Sequence, residues 1–284
     1  MGELIGFVYN ERVPEAQGLA RCLATDLGLA ARSWLFPAGG LEEARELLPE
    51  TSLVVTVGGD GTILRTVRVV SPHGIPLVGV NMGRVGFMTE LAVGEALERL
   101  PRYLNGHCRV EERMMLRARV LSGPDGETAA GFHALNDVVV GRGAVARLVD
   151  VAVSIDGAAM STYRADGVIV ATATGSTGYA LSVGGPIVYP EARVMLVEPI
   201  AAHISFDIGV VLPGDSIVDL EVVGGQEAIL SIDGFVDTPL SDGAVVRVDR
   251  SPHVARFLRA APPAAFYASL PRRLGIGSRR REGP

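Results

Sequence analysis

The sequence places an aspartate among glycines directly after a short apolar run. Residues 53–57 have the composition of a buried strand, and Gly58-Gly59-Asp60-Gly61-Thr62 follows them. Glycines let backbone N–H groups approach a phosphate closely, and the start of a following helix favours negative charge. An aspartate would repel phosphate there unless it holds a divalent cation or accepts the proton of an attacking hydroxyl. The turn therefore predicts phosphoryl transfer centred on Asp60, whereas the alternative is an ordinary turn in which Asp60 only caps the helix.

Two further polar segments interrupt apolar runs. Asn81-Met82-Gly83-Arg84-Val85-Gly86-Phe87 follows a predicted strand at residues 75–80, and its Asn81 and Gly83 suggest a backbone-lined crevice for a ligand. A plain connection from strand to helix is the alternative for this segment. Asn136-Asp137 lies inside the strand-like residues 134–140, although both residue types disfavour strands. The pair could bind ribose hydroxyls or a cation, or it could mark a bulge or a strand end.

A glycine- and hydroxyl-rich loop follows a fourth apolar run. Tyr163-Arg164-Ala165-Asp166-Gly167 leads into a predicted strand at residues 168–171. The loop at residues 172–182 then contains Thr174, Thr177 and Ser182 and could open a helix. Such a loop can hold ribose and phosphate oxygens without lysine. The alternative, a flexible linker, is disfavoured because a buried strand runs straight into it.

The composition excludes several classes of protein. All 26 basic residues are arginines, which rules out a Walker-A lysine, a protein-kinase strand lysine and Schiff-base chemistry. A net charge of −6 argues against binding to nucleic acid. The two cysteines form no redox or metal pair, which fits a reducing, cytoplasmic compartment. The uncharged residues 167–190 contain five glycines and two prolines, so we expect no membrane segment there.

The pattern of elements changes about a third of the way along the chain. Short apolar runs alternate with helical patterns up to about residue 105, which predicts a parallel α/β sheet of Rossmann-like type. Later segments alternate apolar and polar residues between turn signals such as Asp156-Gly157 and Pro124-Asp125-Gly126, which predicts an all-β, sandwich-like domain. The predicted α/β domain is 1–105 with a return segment at about 255–284, and the predicted β domain is 106–254.

Taken together in this order, the four segments resemble the ATP-dependent NAD kinase family. Gly-Gly-Asp-Gly-Thr alone also occurs in lipid kinases, but its combination with Asn81-x-Gly83-x-x-Gly86-Phe87, Leu135-Asn136-Asp137 and the 166–179 block is specific. The resemblance covers about residues 50 to 270. It implies transfer of the γ-phosphate of ATP to the adenosine 2′-hydroxyl of NAD, with a divalent cation, expected to be Mg²⁺. It also implies a homodimer or homotetramer; polyphosphate as the donor and NADH as the acceptor stay open.

The resemblance also implies a role for each matching residue. Asp60 would be the general base or the metal anchor, and the metal ligands are otherwise unknown. Gly58, Gly59, Thr62, Asn81 and Gly83 would lie near ATP or its phosphates. The residues expected to bind NAD are Gly61, Arg65, Asn136, Asp137, Arg147, Arg164, Asp166, Thr174, Thr177, Gly178, Tyr179, Ala180, Leu181 and Ser182.

Several residues depart from the pattern of that family. Gly178 stands where alanine is usual, Ala173 replaces a common proline, and Phe235 replaces a polar glutamine. Phe206-Asp207-Ile208-Gly209 lacks the usual Arg-Pro. Two other functions stay open at this point. A diacylglycerol-type lipid kinase would share the Asp60 turn but would need a membrane-docking stretch, and a non-catalytic dinucleotide sensor could dispense with Asp60.

Overall fold

A computed structural model describes residues 4–83, 85–122, 127–128, 131–143, 147–202 and 208–276. The chain forms two compact units. The first unit comprises Met1–Glu112 and Ala255–Pro284, and the second unit is Arg113–Val254. The predicted division near residue 105 coincides with the end of a helix, but the following strand begins while the chain is still in the first unit.

The first unit alternates strands and helices. Its strands are β1 (Leu4–Tyr9), β2 (Ser33–Pro37), β3 (Thr51–Gly58), β4 (Leu77–Asn81) and β5 (Leu91–Ala92). Its first three α-helices are α1 (Pro14–Asp26), α2 (Asp60–Val70) and α3 (Val93–Leu104), and 3₁₀ segments occupy Ala30–Arg32, Ala38–Glu50 and Ser71–His73.

The sheet of the first unit is parallel, as the sequence predicts. β1 pairs with β2 and β3, and β3 pairs with β4, all in parallel register. Helix α2 buries the apolar side chains of Ile63, Leu64, Val67 and Val70, which follow one another at helical spacing. Because β3 and β4 are parallel neighbours, Gly58 and Asn81 lie in register at the same edge of the sheet.

The second unit is built from strands. They are β6 (Arg109–Ser122), which starts in the first unit, then β7 (Glu127–Thr128), β8 (Phe132–Ala134), β9 (Asp137–Arg142), β10 (Val149–Ile155), β11 (Ala158–Ala165), β12 (Gly167–Thr172), β13 (Val194–Ile200), β14 (Val210–Pro213), β15 (Val218–Val223), β16 (Ala228–Ile232), β17 (Val236–Leu240) and β18 (Val245–Arg259). Helix α4 is the single turn Tyr179–Ser182, after a 3₁₀ turn at Gly175–Thr177. β18 ends in the first unit, where α5 (Ala265–Arg273) follows.

Two antiparallel layers share one core in the second unit. One layer has the order β14-β13-β12-β9-β16-β17, and the other contains β11, β10, β15 and the first part of β18. Alternate side chains of β10 and β15 are buried, and they pack in one cluster with apolar residues of β9, β12 and β13. The prediction of an α/β domain followed by a sandwich-like β domain is confirmed.

Some details differ from the sequence patterns or lie outside the described residues. The strand predicted at 134–140 is broken between β8 and β9, because Leu135 and Asn136 leave the extended pairing. The predicted Asp156-Gly157 turn has left-handed backbone at both residues. The predicted turn at residues 124–126 and the last eight residues, 277–284, lie outside the described residues. No helix in the described part of the chain is long and apolar enough to cross a membrane.

Candidate active site

Asp60 is the first residue of α2, directly beyond the end of β3. Its carboxylate accepts two backbone hydrogen bonds from a distant segment: Phe87 N–H donates to Oδ2 at 2.7 Å, and Met88 N–H donates to Oδ1 at 3.0 Å. Each carboxylate oxygen retains lone-pair capacity for one more partner. The carboxylate of Asp60 is therefore held in a fixed orientation, and Asp60 does more than cap the helix.

Two of the glycines around Asp60 lie too close to neighbouring side chains for a larger residue to fit. A Cβ added to Gly86 would lie 2.2 Å from Asp60 Oδ1, so only glycine lets this segment lie against the carboxylate. A Cβ added to Gly58 would lie 2.2 Å from Thr62 Oγ1, a side chain that is itself buried. Gly61 is exposed, with nothing within 4 Å of an added Cβ, and Arg65 lies half-buried one turn further along α2. Packing therefore requires glycine at positions 58 and 86, but not at position 61.

Asn81 closes a tight turn of its own. Its Nδ2 donates to the Gly83 carbonyl at 3.1 Å, and Gly83 N–H donates to its Oδ1 at 3.2 Å. Met82 N–H also donates to the Gly58 carbonyl at 3.0 Å, which ties this turn to the end of β3. The side chain of Asn81 thus shapes the edge of the sheet beside Gly59 and Asp60, and its predicted contact with phosphate stays a prediction.

In the second unit, the carboxylate of Asp233 holds the break between β8 and β9. Its Oδ1 accepts from Asn136 N–H at 2.7 Å and Asp137 N–H at 3.0 Å, and its Oδ2 accepts from Leu135 N–H at 2.8 Å. Asp233 is buried and has left-handed backbone, with φ of 50°. Three otherwise orphaned donors are thereby satisfied by one charged acceptor. The Asn136-Asp137 pair is consequently held in a fixed orientation.

The pair opens onto a cavity of about 340 Å³. Its lining comprises Asn136, Asp137, Val139, Tyr179, Ser231, Asp233 and Gly234. Tyr179 is exposed, and the start of α4 presents it at this cavity. The structure therefore brings together Asn136, Asp137 and Tyr179, three of the residues that the sequence associates with NAD.

The carboxyl group of Asp137 titrates near neutral pH. Burial, followed by repulsion from the Asp233 carboxylate, raises the pKa of Asp137 from 3.8 to about 7. The neutral form can donate one hydrogen bond, and the ionised form can only accept. At neutral pH, the Asp137 carboxyl group can therefore either donate a hydrogen bond to a ribose hydroxyl or accept one from it.

This raised pKa predicts that stability depends on pH. The folded protein keeps the Asp137 proton between about pH 4 and about pH 7, where the unfolded chain has already released it. The free energy of unfolding should therefore fall as pH rises through that window, by up to about 1.4 kcal/mol per pH unit. The measurement is chemical unfolding of the wild type and of Asp137→Asn between about pH 5 and about pH 8. The wild type should lose stability relative to the variant, because asparagine cannot titrate; a constant difference would contradict the prediction.

The hydroxyls of the loop at residues 172–182 are largely engaged with the loop itself. Thr172 Oγ1 donates to the Leu135 carbonyl at 2.6 Å, Ser176 Oγ to the Ala173 carbonyl at 2.7 Å, and Thr177 Oγ1 to the Thr174 carbonyl at 3.1 Å. A Cβ added to Gly175 would lie 2.1 Å from the Asn136 carbonyl oxygen. Hence the loop packs tightly on the Asn136 turn. Thr174 Oγ1 and Asn136 Oδ1 are buried without a hydrogen-bond partner among the described residues.

The remaining predicted residues divide between two places. Ala180 is buried in the apolar cluster behind α4, Leu181 is half-buried, and Ser182 is exposed. Arg147 and Arg164 line a second cavity of about 750 Å³, together with Gly143, Leu148, Gly225, Gln226 and Glu227. Two guanidinium groups in one cavity suit an anionic ligand. Asp166 instead forms an ion pair with Arg142 at 3.3 Å.

Sequence reasoning missed Asp233 as a residue of this site. The Asp233-Gly234 dipeptide indicates a turn, but nothing local indicates that its carboxylate binds N–H groups about a hundred positions earlier. Gln226 and Glu227 were also missed, since they enter the arginine-lined cavity from the loop after β15.

Comparison with known proteins decides the family. Residues 41–108 match the model of the ATP-NAD kinase N-terminal domain, and residues 135–260 match that of the ATP-NAD kinase C-terminal domain. An NAD kinase from Dehalococcoides mccartyi (strain CBDB1) is 41% identical over 275 residues, 96% of each chain.

This chain belongs to the NAD kinase family.

Further relatives and solved structures agree with that assignment. An NAD kinase from Chloroflexus aurantiacus is 38% identical over 277 residues, 96% of this chain and 99% of the relative. An NAD kinase from Archaeoglobus fulgidus, solved in complex with ATP, has a TM-score of 0.76 at 28% identity and covers 96% of this chain and 99% of its own. Yeast NADH kinase complexed with NADH has a TM-score of 0.87 at 23% identity over 100% of this chain and 91% of its own, which shows the shared fold.

The departures from the NAD kinase pattern are accommodated locally. A Cβ at Gly178 would lie 3.3 Å from the Gly175 carbonyl and 3.4 Å from Asn136 Nδ2, so glycine gives the Asn136 side chain slightly more room than alanine. Ala173 is buried, and Phe235 N–H closes the Asp233-Gly234 turn by donating to the Ile232 carbonyl at 2.9 Å. Phe206 and Asp207 lie outside the described residues, whereas Gly209 lies where an added Cβ would overlap the Glu198 carboxylate.

Proposed function

We propose that this chain transfers the γ-phosphate of ATP to the adenosine 2′-hydroxyl of NAD and so produces NADP. The observation that carries the proposal is the similarity to NAD kinases over 96% of the chain at 41% identity. The Asp60 carboxylate at the end of a parallel strand supports it, because that edge is where open α/β sheets bind ligands. ATP is the proposed donor rather than polyphosphate, which the ATP complex of the Archaeoglobus fulgidus relative supports.

In this proposal, Asp60 orients the attacking hydroxyl and accepts its proton. Phosphoryl transfer leaves the protein little covalent chemistry to perform, so positioning and electrostatic stabilisation dominate the rate. A carboxylate held by two N–H groups is well suited to orienting a hydroxyl. With no lysine in the chain, arginines and backbone N–H groups must supply the positive potential around phosphate.

The proposed NAD contacts lie mainly in the second unit. Asn136 and Asp137 bind ribose hydroxyls, and Tyr179 lines the same cavity. Arg147 and Arg164 bind phosphate oxygens in the larger cavity, because paired guanidinium groups match phosphate geometry. The other members of the proposed NAD site are Gly61, Arg65, Asp166, Thr174, Thr177, Gly178, Ala180, Leu181 and Ser182. Gly58, Gly59, Thr62, Asn81 and Gly83 are the proposed neighbours of ATP.

The residues around Asp60 fit a metal ion that arrives with the nucleotide. Within the described ranges, no group of three or more His, Cys, Asp or Glu side chains could hold a metal ion. Mg²⁺ is commonly bound by one or two carboxylates together with substrate phosphates and water, and Asp60 offers one such carboxylate. When bound, Mg²⁺ would neutralise charge on the phosphate oxygens.

Two attributes implied by the family remain part of the proposal. The first is self-association as a homodimer or homotetramer, which the exposed apolar side chains of Ile208 and Val211 support. The second is a cytoplasmic location. Cys22 and Cys108 are free thiols, as a reducing compartment would maintain them.

The test is direct detection of the product. The purified chain is incubated with ATP, Mg²⁺ and NAD, and NADP is measured with an NADP-specific dehydrogenase. Parallel reactions replace ATP by polyphosphate, NAD by NADH, and NAD by diacylglycerol. We expect NADP from ATP and NAD, and none after chelation of the metal. Phosphorylation of diacylglycerol without NADP would favour a lipid kinase, whereas binding of NAD without turnover would favour a sensor.

A further inference from the structure

The last residue of helix α5 contacts the segment that holds Asp60. Arg273 Nη1 donates a hydrogen bond to the carbonyl of Gly86. Its guanidinium carbon also lies 5.6 Å from the centroid of the Phe87 ring. Both contacts lie within the first unit, although 187 positions of sequence separate Arg273 from Gly86. The C-terminal segment therefore returns to the segment that follows β4.

The same segment binds the carboxylate on its other side. Phe87 N–H and Met88 N–H donate to the two oxygens of Asp60, and Gly86 packs against Oδ1 too closely for any side chain. Residues 86–88 thus lie between a cation and an anion. A shift of the Gly86 peptide would move the two N–H donors, and with them the orientation of the Asp60 carboxylate.

The charge of Arg273 also acts on this region. Burial and the positive charge of Arg259 lower the pKa of Arg273, and the negative charge of Asp60 opposes that shift. Arginine remains protonated at neutral pH even when its pKa is lowered, so a positive charge persists beside the Gly86 peptide. A half-buried charge interacts more strongly than an exposed one because water screens it less.

We propose that Arg273 is a positioning residue for phosphoryl transfer, which orients Asp60 through the Gly86–Met88 segment. The proposal rests on the role proposed above for Asp60. Arg273 acts through the Gly86 peptide and not by touching either substrate. Its effect should therefore appear in kcat, and much less in the KM for NAD.

Helix α5 offers a matched control one position away. Arg272 is in the same last turn of α5, but its side chain is exposed. Both arginines lie in the last turn, where a positive charge interacts favourably with the helix dipole, and they contribute the same net charge. The difference between Arg273→Gln and Arg272→Gln therefore isolates the contact with Gly86 and Phe87.

The experiment compares Arg273→Gln, Arg272→Gln, Arg273→Lys, Asp60→Asn and the double variant Asp60→Asn/Arg273→Gln in the full chain. For Arg273→Gln we expect kcat to fall about tenfold, with KM for NAD changed less than about twofold. Arg273→Lys should lower kcat by a smaller factor, and Arg272→Gln should match the wild type.

A second readout does not depend on turnover. Amide hydrogen exchange at Phe87 and Met88 should be faster in Arg273→Gln than in Arg272→Gln, because the segment is less restrained. If Arg273→Gln does not fold, Arg273→Lys should still show a lower kcat and faster exchange, since it loses the planar contact with Gly86 and Phe87.

The outcomes separate this proposal from the one on which it rests. If Asp60→Asn turns over like the wild type, the role of Asp60 is wrong and the role of Arg273 is overturned with it. If Asp60→Asn is inactive but Arg273→Gln behaves like Arg272→Gln in kcat and exchange, only the Arg273 proposal is overturned. The double variant gives a further test. If Arg273→Gln lowers the residual kcat of Asp60→Asn as much as it lowers the kcat of the wild type, the Arg273 proposal is also overturned, because Arg273 would then act independently of Asp60.

Discussion

Replacing Asp60 by asparagine is expected to lower kcat for NADP formation by at least about 100-fold, with KM for NAD changed less than about threefold. Asparagine is isosteric, so it preserves the packing against Gly86, but its amide cannot accept the proton of the hydroxyl. The amide NH₂ would also face one of the two N–H donors of Phe87 and Met88. The measurement is steady-state kinetics with ATP, Mg²⁺ and NAD, supported by thermal unfolding.

Asp26→Asn is the matched control for this substitution. Asp26 is the exposed last residue of α1, so its loss removes the same charge without disturbing the predicted site. We expect wild-type kinetics from it. Wild-type kcat in Asp60→Asn would remove Asp60 from the centre of the reaction while leaving the kinase activity itself intact.

The second large effect is expected at Asp233, whose carboxylate accepts hydrogen bonds from the backbone N–H groups of residues 135–137. In Asp233→Asn, one carboxylate oxygen becomes an NH₂ group that faces N–H donors of residues 135–137. Losing one hydrogen bond to a charged acceptor costs about 1.5–3 kcal/mol. We expect the free energy of unfolding to fall by about that amount. The KM for NAD should rise about tenfold or more, because Asn136 and Asp137 lose their fixed orientation.

Asp233→Asn should also change the pKa of Asp137. The negative charge of Asp233 contributes to the raised pKa of Asp137, so removing it should lower that pKa towards 3.8. The fall of stability with rising pH should then move to lower pH and become smaller. Chemical unfolding over the same pH range as for Asp137→Asn measures this change.

Asp156→Asn is a close control for the Asp233 variant. Asp156 is also followed by glycine, has φ of 51° and accepts one backbone hydrogen bond, from Ile217 N–H at 2.8 Å. It is exposed, however, and its carboxylate accepts from Ile217 N–H and not from the Asn136 turn. Asparagine tolerates left-handed backbone at both positions, so backbone strain does not differ between the variants. Equal effects of the two substitutions would contradict a special role for Asp233.

Local sequence patterns were sufficient for the elements that carry the candidate site. The apolar residues of β3, the following glycines and the apolar face of α2 act over a few positions, so their periodicity predicts a strand, a turn and a helix. The break at Asn136 was predicted only as one of several alternatives. Its cause is the Asp233 carboxylate, which lies 97 positions further along the chain.

Counting polar groups was less informative than locating their partners. The hydroxyls of the loop at residues 172–182 suggested a cradle for ribose and phosphate. In the structure, Thr172, Ser176 and Thr177 donate to backbone carbonyls of the protein, and their contact with ribose or phosphate stays a prediction. Serine and threonine readily form such bonds with backbone groups, and composition alone cannot distinguish those bonds from bonds to a ligand.

The sequence by itself determined that an α/β domain precedes a β domain, the Asp60 turn and the NAD kinase family, because these depend on residue types at short, regular spacings. The tertiary structure decided what surrounds Asp60. Its two N–H donors lie 27 and 28 positions away, and Arg273 reaches the same segment across 187 positions. It likewise decided the raised pKa of Asp137, which follows from burial and from a second carboxylate. Contacts over such distances depend on how strands and helices pack, and packing leaves no periodic signal in the chain.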